Sequence, residues 1–243
     1  MRSFEGKRYW LVGASAGLGR ALADKLVAAG AEVVLSARGE DELKQAVSEI
    51  GPKASYVVLD VSDNGDVIRA ASEVGDVDGY VHLAGVYWPQ GAKEWDADQV
   101  NAMCDINFTG MVRVLGQVVP EMAKRDRGHI VITSSLTGFR GLPGSIGYTA
   151  SKAATMSLAE CMYADLRKTG VDVQVVNPGF IKTQLTDKND FNMPFIMEPE
   201  GAAQEVFDHM KSSRFKRSFP TLFSLVFRGS QFLPDWLYFR IFS

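Results

Sequence analysis

The sequence predicts one α/β domain of 243 residues built on a doubly wound parallel sheet. Three observations point there. Short, near-continuously apolar runs such as AEVVLS, the mark of strands buried on both faces, recur along the chain. Amphipathic helical patterns separate them. The first run, Lys7 to Val12, leads straight into a glycine-rich turn, Gly13-Ala-Ser-Ala-Gly17-Leu-Gly19, and then a helix.

Taken in order, Lys7 to Val12 is the first strand. The helix after the turn sets Leu18, Leu22, Leu26 and Val27 on one side, and Gly30 closes it. Ala31 to Ser36 is the second strand. Strand, glycine-rich turn, helix, strand is a βαβ unit, whose crossover is right-handed. Glu40 to Ile50 reads as a helix, Ala54 to Leu59 as the third strand and Asp78 to Leu83 as the fourth. A long helical pattern runs from Asp96 to Arg125. His129 to Ser134 is the fifth strand and Val171 to Val176 the sixth, stopped by Asn177-Pro178-Gly179. Phe180 to Met197 has no period and reads as a loop or lid carrying Phe191, Met193, Phe195 and Met197. Pro199 to Met210 is a further helix. The domain is expected to span 1–213, with 214–243 a helical, aromatic-rich extension.

Composition narrows the function. Hydrophobic residues make up 46% and charged residues 23%, as in a globular protein. Cys104 and Cys161 belong to no CxxC or Cys/His cluster, so neither a metal site nor a disulfide framework is expected. The start lacks a signal-peptide core and no apolar run spans a bilayer, so a cytoplasmic setting is the expectation. Nothing points to nucleic acid. The charge is uneven: residues 214–243 hold five Lys/Arg and one Asp, whereas the rest holds 21 Lys/Arg and 28 Asp/Glu.

The candidate site residues cluster at strand ends. Gly13, Gly17 and Gly19 let the backbone approach a pyrophosphate resting on the N–H groups of a helix N-terminus. An acidic residue ending the second strand would grip a ribose hydroxyl; Ser36-Ala37-Arg38 instead favours the 2′-phosphate of NADP(H). Pairing of Arg38 with Glu40 or Glu42 is the alternative, and Ala16 brings no second cation. Asp60, with Val61, ends the third strand and either faces an adenine amino group or caps the helix beginning near Asn64. Ala84 and Gly85 let the chain pass close to a cofactor. Asn107 sits in mid-helix, unfavourable unless its side chain is employed. Tyr148 and Lys152, four apart, share a helix face. A phenol titrating near ~10 beside an ammonium is a plausible acid/base device. Ser135 lies thirteen residues before Tyr148 and so is preferred to Ser134.

Together these residues resemble the short-chain dehydrogenase/reductase family, classical type, over about residues 5–212. The resemblance rests on Gly13/Gly17/Gly19, Asp60, Asn107, Ser135 with Tyr148-x-x-x-Lys152, and Asn177-Pro178-Gly179 followed by Thr183. It implies a Rossmann-type sheet of order 3-2-1-4-5-6-7 and NADP(H)-dependent hydride transfer between a carbonyl and a secondary alcohol (a carbonyl reductase of the class acting on CH–OH donors). By position it implies Tyr148 as acid/base, Lys152 lowering its pKa and holding the nicotinamide ribose, Ser135 on the substrate oxygen and Asn107 holding a relay water. It also implies Ser15, Leu18, Pro178, Gly179, Ile181 and Thr183 among the cofactor contacts, and a homodimer or homotetramer. Two departures stand out. The family's Asn-Asn-Ala-Gly reads His82-Leu83-Ala84-Gly85, which removes polar bracing, and the Thr before the first glycine is Val12. The competing reading is an NADP(H)-binding sensor or scaffold without turnover.

The extension lies outside that pattern. Nine of its thirty residues are aromatic, and Phe215, Phe219, Phe223 and Phe227 recur at intervals of four. Ser218 is a candidate N-cap and Pro220 suits a first helical turn. Core or subunit interface, a peripheral membrane contact and a lid over an apolar substrate are the open readings. The apolar loops 86–95, 139–146 and 180–197 suggest a bulky hydrophobic substrate.

Overall fold

The computed structural model describes residues 1–189 and 192–242; the expected loop residue Phe191 lies outside them. Seven parallel strands form one sheet of order β3-β2-β1-β4-β5-β6-β7. They are β1 (Arg8–Val12), β2 (Glu32–Ser36), β3 (Ala54–Tyr56), β4 (Gly79–His82), β5 (Gly128–Thr133), β6 (Val171–Pro178) and β7 (Lys216–Phe219). The expected strand order is therefore the observed one.

The apolar runs split by alternation into two cores, one per sheet face. Tyr9, Leu11, Val81 and Val131 point to the side covered by α1 (Gly17–Ala28), α2 (Glu40–Ile50) and α7 (Pro199–Met210). Trp10, Val12, Tyr80, Ile130 and Ile132 point to the side covered by α3 (Asn64–Val74), α5 (Gly110–Lys124) and α6 (Ile146–Leu166). Both faces are thus sealed, which is why the central strands read as unbroken apolar runs. The switch between β1 and β4 opens a crevice at the strands' carboxyl ends, where ligands of such sheets lie.

The long helix expected over 96–125 is interrupted. α4 (Ala97–Cys104) passes through one π-turn, Asp105–Thr109, before α5 begins. Asn107 sits inside that turn.

The first helix of the extension begins only at Thr221. Lys216–Phe219 pairs with β6 as the sheet's edge, so Ser218 is a strand residue, not an N-cap. It accepts a bond from Asn177 Nδ2 at 3.2 Å. The Phe219–Pro220 peptide is cis. Pro220 is itself the N-cap of α8 (Thr221–Ser230), and α9 (Asp235–Phe242) follows. The interval of four thus runs through a strand and a helix and follows one helix only from Phe223 onward.

Candidate active site

One cavity of about 1230 Å³ occupies the crevice. Of the site residues read from the sequence, Gly13, Ser15, Gly17, Leu18, Gly19, Arg38, Asp60, Val61, Ala84 and Gly85 line it. So do Ser135, Tyr148, Lys152, Pro178, Gly179, Ile181 and Thr183. Asn107 does not; it stands behind the wall.

The glycine-rich turn forms a bare cradle. Gly13 has φ of +88°, and a Cβ there would meet the Ala84 backbone nitrogen at 2.3 Å. A Cβ on Gly19 would meet the Gly13 carbonyl oxygen at 2.3 Å, so α1 packs against its own turn only through glycine. Thr183 leans over the start of α1: a Cβ on Gly17 would lie 3.0 Å from its methyl group. No side chain caps α1 and no acid sits in its first turn, which leaves its N-terminal N–H groups for an anion. These features fit the pyrophosphate of a dinucleotide. The volume also exceeds the roughly 300–1,000 Å³ of ordinary small-molecule pockets, leaving room for a substrate.

At the adenine end, Arg38 is exposed and makes no ion pair among the described residues, so pairing with Glu40 or Glu42 does not occur. Asp60 accepts from Ser62 N at 2.9 Å and Ser62 Oγ at 2.6 Å. Burial pushes its carboxyl up, but the Ser62 bonds, with Arg38 and Arg113, outweigh that and hold it below the usual range. Asp60 does not cap α3; Asp63 does, accepting from Asp66 N at 2.9 Å.

At the other end α6 delivers Tyr148 and Lys152 one turn apart. The Lys152 Nζ donates to the Thr133 carbonyl at 3.0 Å and lies 5.6 Å from the Tyr148 ring centroid. Burial pushes the Tyr148 phenol up to about 12; the Ser135 hydroxyl acts in the opposite sense and Tyr87 adds to the rise. Burial pushes Lys152 down to about 8. In the protein alone, then, desolvation sets the direction for both groups.

The two serines divide their work. Ser134 Oγ donates to the Lys152 carbonyl at 2.7 Å and anchors α6 to β5. Ser135 Oγ accepts from Thr137 N at 3.2 Å and lines the cavity, where its hydroxyl meets Tyr148.

Asn107 braces the cavity wall from behind. Its Oδ1 accepts from Val86 N at 2.7 Å, and its Nδ2 donates to Val86 O at 3.0 Å and Ser151 Oγ at 3.1 Å. Both Nδ2 protons and one Oδ1 lone pair are thus spent on the wall and on α6. His82, which stands where the family has an asparagine, makes its side-chain bond only within its own strand among the described residues. It is wholly buried, with Nδ1 hydrogen-bonded to Tyr80 Oη at 2.6 Å and Nε2 without a partner among the described residues. Burial, then the charge of Lys152, lowers it to about 3.

Sequence reasoning missed Tyr87, whose ring meets Tyr148 edge-on at 5.1 Å, and Ser151, which holds Asn107. Tyr87 was visible only as one aromatic of a loop. It also missed Arg140. All three apolar loops contribute to the lining, through residues such as Tyr87, Leu142 and Phe180, and the extension adds Phe223, Phe227 and Phe242.

Residues 7–193 match the family model described as short chain dehydrogenase. An uncharacterized oxidoreductase of Myxococcus xanthus (strain DK1622) is 38% identical over 235 residues, 94% of this chain and 93% of that protein. The 3-oxoacyl-(acyl-carrier-protein) reductase of Salmonella typhimurium is 33% identical over 190 residues, 76% of this chain and 77% of that one. A crystal structure of a short chain dehydrogenase from Burkholderia cenocepacia J2315 in complex with NADP superposes over 100% of both chains with a TM-score of 0.88 at 24% identity.

Proposed function

The chain belongs to the short-chain dehydrogenase/reductase family, and from that membership we propose that it is an NADP(H)-dependent oxidoreductase working mainly as a carbonyl reductase. The observation that carries the reading is the shared cavity: a phosphate cradle at one end and a half-buried Tyr148 with the buried Lys152 and Ser135 at the other. When bound, the nicotinamide supplies or takes the hydride.

The chain's own residues handle the oxygen and its proton. With its phenol held near about 12, Tyr148 Oη keeps its proton at neutral pH and gives it to the carbonyl oxygen as negative charge develops there. Ser135 Oγ, one lone pair filled by Thr137 N–H, donates to the same oxygen. Lys152, fixed by the Thr133 carbonyl, keeps its ammonium beside the phenol. Asn107 holds the segment after Gly85 in place through Val86.

The choice of NADP(H) over NAD(H) is supported by Arg38, an unpaired cation on the cavity rim at the end of β2. A bulky apolar carbonyl compound is supported by the aromatic lining that α8 and α9 contribute.

The test follows NADPH oxidation against ketones of increasing size, including a 3-oxoacyl thioester. Tyr148→Phe is expected to lower kcat/KM by about 10²–10⁴ with NADPH affinity retained. Unchanged turnover in that variant refutes the assigned chemistry.

A further inference from the structure

The helix α8 is apolar on both sides. Its inner residues Phe223 and Phe227 line the cavity, while Leu222, Leu225 and Val226 face outward and are 49% to 71% exposed. A helix that is hydrophobic all round is normally buried. Here the outer face continues into Phe232, 89% exposed, and then Trp236 and Phe239 of α9. The opposite side of α9 is seated: Tyr238 is buried and bonds the Gly141 carbonyl at 2.6 Å. The apolar surface is therefore not a frayed end. It is an outward platform on two docked helices whose inner faces bound the substrate cavity.

The charges around the platform specify what it meets. Within 220–242 the sole carboxylate is Asp235, and Arg140 takes it at 2.5 Å. Arg228 and Arg240 are exposed and make no ion pair among the described residues. Two unmatched cations beside exposed leucines, phenylalanines and a tryptophan suit an anionic lipid surface, where the cations meet headgroups and the aromatics settle at the acyl boundary. No helix among the described residues is long and apolar enough to span a membrane, and α8 and α9 have ten and eight residues.

We propose that this platform docks the protein on an anionic membrane surface, with the substrate cavity opening beside the lipid. Only the delivery of an apolar substrate rests on the reductase reading; docking itself stands on the surface alone and is measured without turnover.

The test is co-sedimentation of the full chain with vesicles of phosphatidylcholine, alone or mixed with phosphatidylglycerol, at low and high salt. The protein should pellet with the mixed vesicles, less with phosphatidylcholine alone, and less in high salt. Leu222→Ser combined with Leu225→Ser and Trp236→Ser should weaken binding about tenfold or more. Arg228→Glu with Arg240→Glu should remove the preference for phosphatidylglycerol. All five side chains are exposed, so NADPH binding by each variant reports that the fold is kept. No sedimentation by the unmodified protein, or equal sedimentation by the serine variant, overturns the proposal. A chain that ignores vesicles but changes from dimer to monomer on the serine substitutions also overturns it and assigns the face to a second copy.

Discussion

Replacing Arg140 by alanine should release the roof of the cavity while leaving its floor intact. Arg140 follows the short turn Leu136–Phe139 that begins beside Ser135. Its guanidinium donates to the Ser230 carbonyl at 2.6 Å and the Leu233 carbonyl at 2.8 Å, where α8 ends. It lies 3.9 Å over the Tyr238 ring and pairs with Asp235. One side chain thus ties the loop after Ser135 to both helices of the extension.

The magnitude follows from those contacts. Two hydrogen bonds from a charged donor are worth about 1.5–3 kcal/mol each, and the stacking about 1 kcal/mol. The pair with Asp235 adds little, because that carboxylate is 86% exposed. Rehydration of the freed carbonyls returns part of the total, leaving about 2–4 kcal/mol for docking of the extension. That is roughly a 30- to 1,000-fold shift in the docking equilibrium. Hydrogen exchange across 221–242 should accelerate accordingly while the β1, β4 and β5 amides keep their protection. KM for a bulky ketone should rise, with little change for a small ketone or for NADPH affinity. Arg140→Lys should not rescue, since an ammonium has neither the fork nor the flat face. Unchanged exchange across 221–242 in Arg140→Ala would refute the reasoning.

The remaining predictions concern charge. Arg38→Ala should weaken NADPH binding about 10- to 100-fold, the worth of one charge-assisted phosphate contact, and barely alter NADH binding; equal losses measured by titration would overturn the assignment. Acid should destabilise the fold through three buried histidines. Burial lowers His82 and His129 to about 3 and His209 to about 4, so below the unfolded value of about 6.5 the unfolded chain binds protons that the folded chain refuses. Stability is therefore complete above about pH 6.5 and falls as pH drops, by about 2 kcal/mol per histidine at pH 5. His82→Asn should remove about a third of that loss between pH 7 and 5 in urea titrations, and an identical loss would disprove the role of His82.

Most of the sheet was legible because its strands are apolar runs punctuated by glycine, and Gly13 to Gly19 marked the crevice. The edge strand β7 was not legible: KRSF carries two cations and no apolar alternation, as edge strands do. The phenylalanines at intervals of four then imitated a helix across it. The cap of α3 was ambiguous because Asp60, Asp63 and Asn64 stand within five positions, and only the bond from Asp66 N selects Asp63. The position of Tyr148 on one helix with Lys152 was legible from spacing. Their proton affinities were not, since these depend on burial that spacing does not record. Arg140 left no local signal, because the carbonyls it binds lie 90 and 93 residues away.

One physical cause moves the two central groups of the proposed reaction. Burial disfavours the charged form of each, raising the phenol of Tyr148 and lowering the ammonium of Lys152. Near pH 7 that leaves Tyr148 protonated and Lys152 still mostly charged, which is the state a carbonyl oxygen gaining negative charge requires of its donor. Taking a proton from an alcohol needs the phenolate, which the same burial disfavours in the protein alone. The cost of holding an ammonium there is met by contacts from neighbouring elements. The Thr133 carbonyl at the end of β5 accepts a hydrogen bond from the Lys152 ammonium, Ser134 fixes the Lys152 carbonyl, and Ser151 joins the same helix to Asn107 in the π-turn. Three hydrogen bonds thus lock the first turns of α6 to the sheet and to the wall beside Gly85, and the Tyr–Lys pair is held in place before any ligand arrives.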